Sequence, residues 1–181
     1  MNKNDIIRIA RDKGFSETAE LDVSTIELMP EVREMCATNT CHQYGKNWAC
    51  PPGCGEIEDC KRKIGQYAQG VLVQTVGQLE DSWDFEEMKE TEQRHKKLFN
   101  ELIEEISASG LDMLPVGAGT CTRCKECTYP QSPCRFPDKA MSSMEAYGML
   151  VNQICKSNGV PYNHGTNTVC YTSCILLNSD K

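Results

Sequence analysis

At 181 residues the chain is long enough to bury an apolar core without cross-links, and one domain spanning 1–181 is the simplest organisation. Nineteen lysines and arginines against twenty-six aspartates and glutamates give a net charge of −7, which argues against nucleic acid or an anionic membrane surface as the main partner. Twelve cysteines are the anomaly, and such a count arises either where disulfides form or where thiolates hold metal in a reducing compartment.

The N-terminal MNKNDIIRIARDKGF has charges every few residues and no apolar run like a signal-peptide core. No stretch of about 20 apolar residues is available to span a bilayer. These features favour a cytoplasmic, metal-binding chain. Residues 1–29 read as a helical or irregular opening without identifiable chemistry. Pro30 suits a first helical position and Glu31 the positive helix end, so residues 32–36 read as a short helix delivering Cys36. From Cys41 to Cys60 the composition turns to glycine, proline and cysteine, as expected of an irregular loop shaped by ligands.

Residues 71–76 form an expected strand. The clearest helix covers about 83–107, capped by Asp81 or Ser82, with Gly110 just past its end. Phe85, Met88, Leu98, Phe99, Leu102, Ile103 and Ile106 recur along it at helical spacing, marking one core-facing side. Residues 111–116 read as a second strand. Another long helix is expected after Asp138, ending near 158–159 with Pro161 beyond, followed by a last strand over 167–177. The alternation of strands and helices predicts an α/β fold: a small, mainly parallel or mixed sheet, two long helices and two cysteine-rich metal-binding loops.

Cys121, Cys124 and Cys127 form C-x-x-C-x-x-C, with Cys134 following after six intervening residues. Three thiolates separated by two residues each can wrap one small inorganic core, the spacing used by bacterial-type [4Fe–4S] ferredoxins. Gly117 and Gly119 lie just upstream, where missing side chains would let backbone N–H groups approach the sulfides. Unlike the ferredoxin pattern, Cys134 is followed by Arg135–Phe136–Pro137, and it either completes the same cubane or serves a second one. Structural zinc draws two ligands from each of two separated knuckles, a pattern that three cysteines in seven residues match less well.

The first group, Cys36, Cys41, Cys50, Cys54 and Cys60, offers five candidates where one cubane needs four. Cys50 precedes Pro51–Pro52, like the Cys–Pro that closes many cluster loops. Spacing alone does not select the spare cysteine. Of the rest, Cys155 falls on the apolar side of the expected second helix, where a free cysteine packs as a small hydrophobe. Cys170 and Cys174 share a strand face about 13 Å apart, too far to ligate one cubane together, and read as core or sheet-face residues.

These motifs carry a resemblance. Cys36-x4-Cys41, the string Tyr44–Gly45–Lys46–Asn47–Trp48–Ala49–Cys50–Pro51–Pro52, and Cys60 look like the first signature of a prokaryotic family of predicted metal-binding proteins of unknown function. Cys121 to Cys127, then Thr128–Tyr129–Pro130, Pro133 to Pro137 and Ser143 to Gly148, resemble its second signature. The likeness runs from about residue 30 over most of the chain. It implies Cys36, Cys41, Cys50 and Cys60 as the first ligand group, with Cys54 spare because a small aliphatic residue is usual there. It also implies a cytoplasmic protein of anaerobes or facultative anaerobes, and no settled reaction.

His42 is a candidate ligand or donor to a cluster sulfur, and equally an exposed loop histidine. His95, on the apolar side of the long helix, reads as structural. His164 precedes the last strand in a loop, where sites are more often found. Lys46 and Arg135 could favour a reduced cluster, while Tyr44 and Trp48 could shield the first group from water. Glu145 and Tyr147 read as a helix-terminal carboxylate and a core aromatic before they read as a pocket. No Walker loop, dinucleotide fingerprint or metalloprotease motif is present. The expectation is a one-electron carrier with two [4Fe–4S] clusters serving redox partner proteins. The alternatives are a cluster-dependent reductase or reductive activator and, third, a zinc-stabilised interaction module.

Overall fold

The computed structural model describes residues 1–178. Helix α1 (Lys3–Lys13) starts where Asn2 and Asp5 cap each other reciprocally and stops at Gly14, whose φ of +97° suits a residue without Cβ. Strand β1 (Glu17–Leu21) follows, then helix α2 (Pro30–Ala37), with proline at its first position as expected. Helix α3 (Ile57–Ile64) closes the first cysteine loop, with Glu58 and Asp59 in its first turn and Lys61, Arg62 and Lys63 in its last, the order that suits the helix dipole. Strand β2 (Gln69–Gln78) leads to helix α4 (Phe85–Ser107), capped by the Asp84 carboxylate. Strand β3 (Met113–Val116), helix α5 (Val151–Ser157) and strand β4 (Thr168–Leu177) complete the order.

The four strands lie in the order β1-β2-β4-β3, and each adjacent pair is antiparallel. In the central pair Val71 stands opposite Ile175 and Leu72 opposite Cys174. The expected mainly parallel or mixed sheet is therefore corrected to an antiparallel one. Both faces of this sheet are covered. Val71, Val73, Ile175 and Leu177 pack against Ile6 of α1 and Phe99, Leu102 and Ile106 of α4. Leu21, Leu72, Cys174 and Leu176 pack on the other side against Cys60 and Ile64 of α3, Ile154 and Cys155 of α5, and Met144, Tyr147 and Met149. A strand covered on both sides is apolar at successive positions whichever way its neighbours run.

The expected second long helix over 138–158 is also corrected. Its sequence is divided among two short 3-10 turns, Pro137–Lys139 and Glu145–Tyr147, and the seven-residue α5. Gly148 breaks it, with φ +88° and an added Cβ that would stand 3.1 Å from the Met29 carbonyl oxygen. The backbone here is bonded elsewhere: Met29 N–H donates to Gly148 O at 2.8 Å and Met144 N–H to Gly117 O at 3.0 Å. This irregular segment thereby links α2 to the start of the second cysteine loop. None of the described helices is long and apolar enough to cross a membrane.

Candidate metal centre

The last turn of α2 delivers Cys36 into a loop folded by two asparagine side chains. Asn39 (φ +56°) accepts the Tyr44 N–H through Oδ1 at 3.0 Å, and Asn47 accepts the Ala49 N–H at 3.0 Å. Further along, Gly45 N–H donates to Pro51 O at 2.9 Å and Cys54 N–H to Cys50 O at 3.1 Å. The result sets Cys36, Cys41 and Cys50 on the wall of one cavity of about 560 Å³. Glu145, Tyr162, Cys170 and Tyr171 line the same cavity.

Cys54 and Cys60 take a different position. Cys60 is wholly buried in the core beside Ile64 and Tyr147. Cys54, also buried, has its sulfur 3.7 Å from Arg33 Nη2 and 3.7 Å from the Ala146 carbonyl oxygen. Arg33 itself is anchored by donating to Gly55 O at 2.7 Å. Cys36, Cys41 and Cys50 thus line one cavity, whereas Cys60 lies on α3 in the core and Cys54 borders the separate cavity of about 730 Å³ that Cys134 also lines.

The thiols influence one another. Burial raises the Cys36 thiol above its ordinary pKa, and Glu145, Cys41 and Cys50 raise it further against the pull of Arg33. Burial pushes Cys54 up to about 11; Arg33 opposes this, while Cys60 and Cys50 add to it. Burial likewise raises Cys60, opposed by Arg33 and Lys63. Such groups ionise together only when a strong positive charge offsets desolvation and mutual repulsion, and a bound metal core supplies one.

The second group lies on a stretch from Gly117 to Phe136 that contains no helix or strand. Its four thiols are half-buried and unpaired. The loop is braced by its own side chains: Arg135 donates to Glu126 O at 2.7 Å, Thr128 to Pro133 O at 2.8 Å, and Arg123 to Lys139 O at 3.0 Å. Cys134 borders a cavity of about 730 Å³ with Trp48, Lys63 and Tyr147, whereas Cys121 borders a small one of about 30 Å³ beside His95 and Asn100. Cys124 lies in an open hollow with Arg135 and Phe136. Among the described residues, no three histidine, cysteine or acidic side chains are gathered closely enough to hold a single metal ion.

The two loops interlock. Asn47, 4 % exposed, donates through Nδ2 to Thr120 Oγ1 at 3.1 Å, and the Cys50 sulfur lies 3.6 Å from the same oxygen. Trp48 Nε1–H donates to Ser132 O at 3.0 Å while its ring meets Tyr129 edge-on. A Cβ on Gly53 would stand 2.9 Å from the Tyr129 ring, so the loops touch where only glycine fits. Asn47 and Thr120 were not singled out by sequence. Their signal is a buried amide in a loop, visible only once its partner is known.

Other expected positions resolve as follows. Gly117 N–H donates to Ser142 O at 2.8 Å, so it is committed to backbone pairing and not free for a sulfide. Gly119 (φ +64°) lets the loop pass the Glu92–Lys96 ion pair, since a Cβ there would stand 2.7 Å from Glu92 Oε1. His42 and Lys46 are exposed. Trp48 shields the seam between the loops more than the first group. His95 is fully buried, bonded to Thr75 Oγ1 at 2.9 Å and Ser173 Oγ at 2.7 Å, which makes it structural as expected. His164 joins a polar chain with Gln74 Oε1 at 2.6 Å. Tyr147, Cys155 and Cys174 are core residues as expected. Cys170 is a sheet-face residue on β4, half-buried, where it lines the first-group cavity and donates to Tyr162 O at 3.2 Å.

Residues 19–177 match the family described as "Predicted metal-binding protein (DUF2284)". The chain belongs to this family. The family is described as predicted to bind metal, and the two interlocked loops carry seven thiols that are exposed or half-buried, Cys36, Cys41, Cys50, Cys121, Cys124, Cys127 and Cys134. No curated protein and no solved structure matches the chain. The donor chemistry suits a thiolate-bound metal, because none of the twelve cysteines is in a disulfide.

Proposed function

We propose that this family member is an iron–sulfur protein holding two [4Fe–4S] clusters and passing single electrons between redox partner proteins in the cytoplasm of an anaerobe or facultative anaerobe. Cys36, Cys41, Cys50 and Cys60 would hold one cluster; Cys121, Cys124, Cys127 and Cys134 would hold the other. A bound [4Fe–4S] cluster supplies one-electron chemistry without rearrangement of its ligands. The observation that carries the reading is the interlock of the two loops through Asn47–Thr120 and Trp48–Ser132, which makes the two thiol groups neighbours on one surface. The chain's own part is to supply thiolates, to exclude water with Trp48, Tyr129 and Ala49, and to keep the loops in fixed relation.

The C-x-x-C-x-x-C spacing supports iron–sulfur over zinc.

Anaerobic purification followed by iron and sulfide counting, with electron paramagnetic resonance before and after dithionite, tests the proposal. About eight irons per chain with reducible signals is the expected result, each cubane holding about four. A colourless protein with stoichiometric zinc, even after anaerobic reconstitution, overturns it.

One observation favours a second reading, a cluster-dependent reductase: Glu145 lines the same cavity of about 560 Å³ as Cys36, Cys41 and Cys50. An iron open to that cavity would bind added cyanide and shift the resonance of the reduced protein. Unaltered signals favour the relay.

A further inference from the structure

Trp83 and Phe85 are the most exposed large hydrophobic side chains among the described residues, at 75 % and 66 %. Their rings meet edge-to-face, with centroids 6.1 Å apart. Their exposure does not come from a loose loop. The Asp81 carboxylate accepts the Trp83 N–H at 2.7 Å, and the Asp84 carboxylate accepts the N–H groups of Glu80 at 3.0 Å and Glu87 at 3.1 Å. The turn is also tied to the head of β4: Leu79 N–H donates to Asn167 O at 2.8 Å and Asn167 Nδ2 donates to Glu80 O at 3.0 Å. Two rings held outward on a hydrogen-bonded turn lose little freedom on binding.

The surroundings are acidic. Glu80, Asp81, Asp84, Glu86 and Glu87 place five carboxylates in eight residues with no base among them. Among the described residues, none of the five takes part in a salt bridge. An aromatic anchor ringed by unpaired carboxylates is complementary to an apolar recess rimmed by lysine or arginine. A nucleic acid or an anionic bilayer would be repelled, and so would a second copy of a chain carrying −7.

The turn also lies close to the first thiol group. From it α4 runs along the cavity that Cys36, Cys41 and Cys50 line: Tyr171 on the cavity wall donates its hydroxyl to Met88 O at 3.0 Å, and Glu92 is part of the same wall. Glu92 comes seven residues after Phe85, about 10 Å along the helix axis at 1.5 Å per residue.

We infer that the turn joining β2 to α4 is a docking surface for a basic one-electron carrier protein, with Trp83 and Phe85 as its anchor. That the partner is a redox protein rests on the electron-transfer reading; that it is basic rests on the surface itself.

The test is a calorimetric titration of the anaerobically purified protein with a basic c-type cytochrome as probe, at low and at physiological salt. Four forms are compared: wild type, Trp83→Ala/Phe85→Ala, Glu80→Gln/Glu86→Gln, and a control, Glu27→Gln/Glu101→Gln, that removes the same charge from exposed positions elsewhere. The aromatic double variant is expected to bind about tenfold or more weakly. The Glu80/Glu86 variant should lose several-fold at low salt and the control little. Wild-type affinity in the aromatic variant, or equal loss in the Glu80/Glu86 variant and the control, overturns the inference. Iron content of the same preparations reports separately on the electron-transfer reading, so each can fail alone.

Discussion

Trp48 stands edge-on to Tyr129, with ring centroids 4.9 Å apart and planes at 83°. The two residues belong to different cysteine loops, one flanking Cys50 and the other following Cys127. Each loop on its own is an irregular stretch with too little apolar surface to fold independently, so their contact makes them one structural unit. The indole N–H completes the link by donating to Ser132 O at 3.0 Å. An edge-to-face aromatic pair contributes about 0.5–1.5 kcal/mol and a neutral hydrogen bond about 1 kcal/mol.

Trp48→Ala should therefore cost about 2–4 kcal/mol once lost packing is added, and it should loosen both loops together. The readouts are anaerobic urea denaturation and the rate at which a chelator removes metal. Release should accelerate from the Cys121–Cys134 loop as well as from the Cys36–Cys60 loop. Trp48→Phe keeps a ring against Tyr129 but loses the N–H donor, and should fall between the two. Acceleration confined to the first loop would show that the interlock does not couple them.

How far such features were legible beforehand depends on the distance over which they act. Helix α4 is legible because a 23-residue segment repeats its apolar side many times, although its cap is Asp84 and not the expected Asp81 or Ser82, and Phe85 is exposed and not core-facing. The C-x-x-C-x-x-C spacing is legible because it is complete within seven residues and needs no distant partner to be seen. Strand direction was not: Val71–Leu72–Val73 is apolar at each position because helices cover both faces, and that says nothing about its neighbours. Strand β1 went unread because only Leu21 of its five residues is buried. The helix expected over 138–158 failed for a tertiary reason, since Gly117 and Met29 bond its backbone from distant parts of the chain. Asn47 and Thr120 lie 73 residues apart in sequence, and nothing local to either announces the other.

Gly77 tests the packing of α4 on the sheet. A Cβ at this position would stand 2.1 Å from Thr91 Oγ1 and 3.0 Å from Thr91 Cβ, so β2 and α4 touch with no room for a methyl group. Gly77→Ala should destabilise the protein by about 1–3 kcal/mol, the usual range for overpacking. Thr91→Ala removes the nearest clashing atom and should recover part of that loss in the double variant. Equilibrium denaturation of the four forms measures this as a coupling energy of rescuing sign. Strict additivity would mean that the helix shifts freely and the contact does not constrain it.

His95 sets a pH dependence. Burial, helped by the neighbouring Lys96 charge, draws the imidazole down to about 3, so it stays neutral between the Thr75 and Ser173 hydroxyls. In the unfolded chain the same ring takes a proton near pH 6.5. Below that value the unfolded state binds more protons than the folded one, and stability falls with pH by up to about 1.4 kcal/mol per unit toward pH 3. Above about pH 6.5 the contribution is constant. His95→Gln, which cannot protonate, should be less stable at pH 7 for loss of one or both bonds. Its denaturation midpoint should nevertheless fall less steeply between pH 6.5 and 4.5. Parallel slopes for both proteins would show that His95 is not what drives the acid response.

The proposed fourth ligand of the first group is a choice between Cys54 and Cys60, neither of which lines the cavity of Cys36, Cys41 and Cys50. Cys60 is the proposed ligand although it is wholly buried on α3, while Cys54 is held between Arg33 Nη2 and the Ala146 carbonyl, each 3.7 Å from its sulfur. A thiolate at Cys60 would be supported by Arg33 and Lys63, both of which already pull its pKa down against burial. Cys60→Ala should therefore lower iron by about four per chain, as loss of one ligand destabilises a whole cubane, whereas Cys54→Ala should keep all eight. Cys54→Ala should still cost about 1–2 kcal/mol, because it empties a buried thiol's volume. Iron counting after anaerobic reconstitution, with circular dichroism to confirm folding, separates the cases. Should Cys54→Ala lose the iron and Cys60→Ala retain it, the ligand is Cys54 and Cys60 belongs to the core alone.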